Sequence, residues 1–129
     1  MVSMVQILHE QAIEWPVNGP LHLEAPALSV EVAIAPDVAR RRANGYLGSE
    51  VAMSMLAHKP RLVVDGQPLW RFDIDLCLPE LGYIATLGSI DVDAMTGAVV
   101  PLTVNQMTSL QERADALAAR LSQATASAG

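Results

Sequence analysis

From Trp70 to Leu78 apolar and polar residues alternate. Trp70, Phe72, Ile74, Leu76 and Leu78 fall on one side, with Arg71, Asp73 and Asp75 on the other. A period of two places successive side chains on opposite faces, so this stretch predicts a strand with one face in the core and one in water. The same period runs through Leu28, Val30, Val32 and Ile34. Leu62 and Val64 lead into Asp65-Gly66, a turn dipeptide whose glycine accepts positive φ, and so predict a hairpin into the Trp70 strand. Tyr83 to Asp93 predicts a further strand with a bulge at Gly88. Asp93 to Gly97 then turns tightly, and Ala98 to Val104 is expected to return as the last strand. Near the N-terminus Ser3 and Gln6 fit a capping box and hence a short helix, whereas Ile13, Trp15 and Val17 alternate. Asn18-Gly19 reads as a hairpin turn between that strand and a second one carrying Leu21 and Leu23, with Pro16 and Pro20 confining both to sheet edges.

Helical spacing appears twice. Pro36-Asp37 suits a first turn, and Val38, Ala39, Arg42, Ala43, Tyr46 and Leu47 form a stripe with Arg40 and Arg41 outward. Gly45 and Gly48 are expected to weaken or end this helix, with Ser49 capping a second turn that carries Val51, Met55 and Leu56. Lys59-Pro60 excludes helix beyond that point. Further on, Met107, Leu110, Ala114, Leu117 and Leu121 recur at alternating spacings of three and four, a narrow apolar seam on a C-terminal helix. The seam is too short for a stable coiled coil alone, so it either docks on the sheet or pairs with its twin as a dimer interface. The expected fold class is α+β: an antiparallel sheet packed against one main helix, with a C-terminal amphipathic helix. One domain is expected, with N-terminal strands over 1–35, a core over 36–104, the helix over 105–122 and a frayed tail over 123–129.

Composition narrows the functions. The chain of 129 residues is 51% hydrophobic but only 4% aromatic, so its core must be largely aliphatic. That apolar excess favours a face covered by a second copy, hence a homo-oligomer, a dimer in the first instance. A net charge of −6 repels phosphate backbones and anionic membranes, so neither nucleic acid nor membrane is an expected partner. Arg40-Arg41-Arg42, with Lys59 and Arg61 downstream, reads as a solvated face. Cys77 is the single cysteine and is flanked by leucines, so it behaves as a small hydrophobe. Residues 1–11 lack a basic region followed by a long apolar run, and 94–111 is too polar to span a bilayer, so the expected location is the cytoplasm of a prokaryote.

Within Pro36 to Leu102 the order is helix, Asp65-Gly66 hairpin, a strand with Trp70, Phe72 and Ile74, then Ile90, Val92, Asp93, Ala94, Thr96, Gly97 and Val99. This succession resembles the PepSY-type domain family. The resemblance implies a small α+β module that binds or restrains partners and carries no catalytic residues, as in the propeptides of thermolysin-like peptidases and in cell-envelope proteins. Asp93 and Gly97 also have a purely structural reading, with the carboxylate accepting turn amides and the glycine closing the turn.

Candidate chemistry is sparse. Asp73, Asp75, Asp91 and Asp93 would share one sheet face if their strands pair, a set of oxygen ligands open to Ca²⁺ or Mg²⁺. His9, His22 and His58 are scattered, and no nucleophile elbow, phosphate loop or dinucleotide fingerprint is present. The expectation is therefore a non-catalytic protein-binding or regulatory domain that self-associates, without a cofactor, whose further protein partner is unknown. A second reading is a small-molecule binding protein with Met53, Met55, Trp70 and Tyr83 lining a pocket between sheet and helix. A third is a metal-dependent enzyme using the acidic strand face.

Overall fold

The computed structural model describes the backbone of residues 2–7, 12–16, 21–25, 28–65 and 67–128, and side chains over 31–64 and 67–123. The strands are β1 (Val2–Ile7), β2 (Ala12–Pro16), β3 (Leu21–Ala25), β4 (Leu28–Val32), β5 (Met55–Asp65), β6 (Gln67–Leu78) and β7 (Gly82–Asp93); the helices are α1 (Pro36–Glu50) and α2 (Val104–Ala128). One sheet has five strands in the order β2-β1-β5-β6-β7, and β3 pairs with β4 separately. The succession β5-β6-β7 is antiparallel throughout, whereas β1 joins β5 in parallel. The α+β class with two helices is as the periodicity predicts.

Register explains which residues reach which face. β5 and β6 pair from Met55↔Leu76 to Asp65↔Gln67, with a shift between His58 and Arg61. Lys59 sits there at φ 57, and Lys59-Pro60 together bulge opposite Phe72. The extra residue rotates the strand, so that His58 and Arg61 both face outward while Ala57 and Leu62 face the core. β6 and β7 shift between Ile74↔Gly88 and Asp75↔Thr86, leaving Leu87 as the extra residue, one position before the bulge expected at Gly88. A second shift follows between Leu76 and Cys77.

The core lies on one face of β5-β6-β7. Trp70, Phe72, Ile74 and Leu76 are buried there with Leu62, Met55, Ile90 and Val92. Ala39, Ala43 and Leu47 form the buried stripe of α1, and the two alanines let the helix lie close to the sheet. Trp70 is buried, and its indole Nε1 donates to the Ile34 carbonyl at 2.7 Å, which fixes the strand-to-helix link over the sheet. α2 lies along β7: Leu110 is buried, and Ala114 and Leu117 pack against the same core. Its start is a reciprocal capping box, with Gln106 N donating to Thr103 Oγ1 and Thr103 N donating to Gln106 Oε1.

Several expectations are corrected. Residues 2–7 form a strand, not a capped helix, because pairing with β2 and β5 satisfies backbone groups that a short isolated helix would leave to water. Asn18-Gly19 lies outside the described residues; β2 and β3 on either side of it belong to different sheets. β2 does stand at a sheet edge, as Pro16 requires. α1 continues through Gly45 and Gly48, since tertiary packing of Ala43 and Leu47 outweighs about 1 kcal/mol of intrinsic cost per glycine. Ser49 starts no new helix; its hydroxyl bonds back to Gly45 O, and Met55 and Leu56 already belong to β5. Residues 98–104 form no strand beyond one bridge, Val92↔Val99, because the next donor toward β7, Leu102 N, bonds the Tyr46 hydroxyl instead and α2 begins at Val104. The helix backbone extends to Ala128, past the predicted end at 122. Among the described residues no helix is long and apolar enough to cross a membrane.

Candidate functional site

Among the described residues, the outer face of β5-β6-β7 carries a cluster of charged and hydrogen-bonding side chains. Arg71 and Asp91 stand directly opposite, and the guanidinium grips the carboxylate bidentately, Nε to Oδ1 at 2.9 Å and a terminal nitrogen to Oδ2 at 3.0 Å. This bonding to Asp91 raises the pKa of Arg71 further above its already high value, against the opposing effect of burial. Arg61 reaches diagonally to Asp73 at 2.8 Å. Asp75, only 4% exposed, lies 2.8 Å from His58 Nδ1 through Oδ2, and its Oδ1 accepts the Thr86 hydroxyl at 2.7 Å. Because Thr86 donates to Asp75, the Tyr83 hydroxyl donates to Thr86 Oγ1 at 3.2 Å. The network His58–Asp75–Thr86–Tyr83 thus runs across three strands. Each bulge is needed for it: the one at Lys59-Pro60 brings His58 outward, and the one at Leu87 brings Thr86 outward.

A buried carboxylate holding one imidazole nitrogen is how a catalytic histidine is oriented. For catalysis a nucleophile must also approach the other nitrogen, and among the described residues no hydroxyl or thiol is hydrogen-bonded to Nε2 of His58. Cys77 lies two residues from Asp75 on the same strand face. Burial, with the charge of Asp75, pushes its thiol up and keeps it protonated at neutral pH. The arrangement anchors strands to one another.

The acidic set predicted for a cation is separated by partners. Asp73 pairs with Arg61, Asp91 with Arg71, and Asp75 with His58 and Thr86. Asp93 accepts the amides of Met95 and Thr96 through Oδ1 at 2.8 and 3.0 Å, the structural role its turn predicted. The four carboxylates do share one face, but arginines intervene, and among the described residues no group of His, Cys, Asp and Glu is arranged to hold a metal ion. The four residues expected to line a pocket, Met53, Met55, Trp70 and Tyr83, divide between core and surface. Met55 and Trp70 are buried in the core, whereas Met53 is 83% and Tyr83 60% exposed. The seam Met107, Leu110, Ala114, Leu117 and Leu121 has its central members against the sheet, where Leu110 inserts next to Gly88. A twin helix would have to displace that packing.

Two features emerge that periodicity did not locate. At the end of the sheet where β6 turns into β7, Leu81 and Tyr83 are exposed, and Leu56 and Met53 are exposed at the neighbouring start of β5. Beside β7, two adjoining cavities of about 320 and 270 Å³ separate the strand from α2. Arg113 crosses between them to donate to the Leu87 carbonyl at 2.6 Å. A large exposed apolar residue next to a turn was the available sequence signal for the first; the second depends on where α2 docks. The chain matches no protein-family model, no curated protein and no solved structure, so the PepSY resemblance stands on its motif residues alone.

Proposed function

We propose that this chain is a non-catalytic protein-binding domain of PepSY-like build that associates with a second copy of itself and works in the cytoplasm. The observation that carries the reading is the exposed apolar group at the hairpin end, Met53, Leu56, Leu81 and Tyr83. Burying such side chains against another protein is favourable by about 25 cal/mol per Å² of apolar surface. A second copy is the natural cover in a chain that is 51% hydrophobic. The bonding of Asp73, Asp75 and Asp91 to neighbouring strands supports a scaffold role for the outer face. Because the seam of α2 packs on β7, the hairpin end replaces it as the proposed contact surface.

Light scattering over a concentration series tests this. The expected result is a dimer that dissociates on dilution and that the double change Leu81→Asp, Tyr83→Asp turns into a folded monomer. A monomer at the highest attainable concentration, or a dimer indifferent to both changes, would overturn the reading.

A further inference from the structure

β7 is the last strand of its sheet, so one row of its backbone groups has no neighbouring strand. Part of that row is covered by the chain itself. Asp93 N donates to Ala98 O at 2.8 Å and Val100 N donates to Asp91 O at 2.9 Å, with Val92↔Val99 bridged antiparallel. Residues 98–100 therefore cover the edge through a single antiparallel bridge. The cover stops at Leu102, the next residue whose N–H would face β7, because that amide donates instead to the Tyr46 hydroxyl at 3.0 Å.

Beyond that point the edge continues. Outward backbone groups recur every second residue, so Ser89 presents its N–H and C=O to the same side as Asp91. Ser89 is exposed and, among the described residues, has no hydrogen-bond partner on that side. Leu87 O also points outward, and there Arg113 stands where the N–H of a neighbouring strand would stand. The cavities of about 320 and 270 Å³ flank this stretch, and their walls include Leu102, Leu110 and Leu117. Among the described residues, the charged side chains lining them are Arg113 and Arg120, in a chain of net charge −6.

We propose that the groove between β7 and α2 binds an extended, acidic peptide as an added strand on β7, continuing where residues 98–100 leave off. Main-chain bonds to Ser89 supply the strand pairing, and alternate apolar side chains enter the cavities. Arg113 leaves Leu87 O and, with Arg120, pairs with the peptide's carboxylates. This rests on the protein-binding reading, but the surface is separate from the hairpin end, so the two are lost independently.

The probe is a fluorescent peptide of alternating Val and Glu, about eight residues long to span the open edge, titrated into the full chain by anisotropy. Saturable binding is expected, with the Ser89 amide becoming protected from hydrogen exchange. Arg120→Glu should weaken it about tenfold with an unchanged melting temperature. Replacing Glu by Lys in the peptide should abolish it. Ser89→Pro removes the edge donor and should abolish binding while the dimer of the hairpin end persists. The proposal is overturned by absence of saturation, by equal binding of the Lys peptide, or by indifference to Arg120→Glu. It is overturned equally if Ser89 becomes protected with rising protein concentration alone, which would assign the edge to a second copy.

Discussion

The docking of α2 rests on Leu110, and its removal has a size that can be worked out. The side chain is 5% exposed, and its Cδ2 lies 3.2 Å from where a Cβ on Gly88 would stand, so the methyl rests on bare strand backbone. Burying a leucine contributes about 1.5–3 kcal/mol, and Leu→Ala changes in cores cost about 2–5 once the cavity is included. Leu110 borders the open groove, where water can enter the space left behind, so the cost falls in the lower part of that range, about 2–3 kcal/mol. For a chain of this length that lowers the melting temperature by about 8–10 °C. Urea unfolding followed by tryptophan fluorescence measures it. Hydrogen exchange should show α2 losing protection before β5-β6-β7 does. Gly88→Ala adds the crowding Cβ and should cost about 1 kcal/mol in the parent chain but almost nothing once Leu110 is Ala, a coupling a double-mutant cycle isolates. A loss below about 1 kcal/mol for Leu110→Ala, or strictly additive effects of the two changes, would refute the account of how α2 is held.

Two further outcomes follow from the site. Gly97 sits at φ +79, where an added Cβ meets the Arg42 side chain at 3.2 Å; Gly97→Ala should therefore cost about 1–2 kcal/mol in urea unfolding, mostly as left-handed backbone strain, and no measurable change would discard that explanation. The Cys77 thiol is pushed up by burial and by Asp75, so at a given pH it holds less thiolate than an unstructured cysteine. Its alkylation by iodoacetamide should lag a short cysteine peptide at about pH 8 and catch up only as the pH rises further, while Asp75→Asn should narrow the gap. Equal rates in protein and peptide would contradict the assigned environment.

Much of the fold was legible in the residues because it depends on local period and turn chemistry. The alternation of Trp70, Phe72, Ile74 and Leu76 fixes which side of β6 is core, β5 and β6 pair antiparallel on either side of position 66, which itself lies outside the described residues, and Asp93 with Gly97 closes the turn after β7. The stripe of α1 and the seam of α2 are likewise set by spacings of three and four. What the residues could not decide is everything that depends on pairing between distant segments. No local signal says that β1 joins β5 in parallel, that β2 pairs with β1 and not with β3, or that α1 runs unbroken through its glycines, since sheet pairing and helix packing act over long sequence separations and outweigh propensities of about 1 kcal/mol. The site shows the same division. The sequence alone placed the aspartates on one face of the sheet. Only the tertiary structure, through bulges at Lys59-Pro60 and Leu87, gave them Arg61, Arg71, His58 and Thr86 as partners, because one extra residue in a strand changes the face to which its neighbours point.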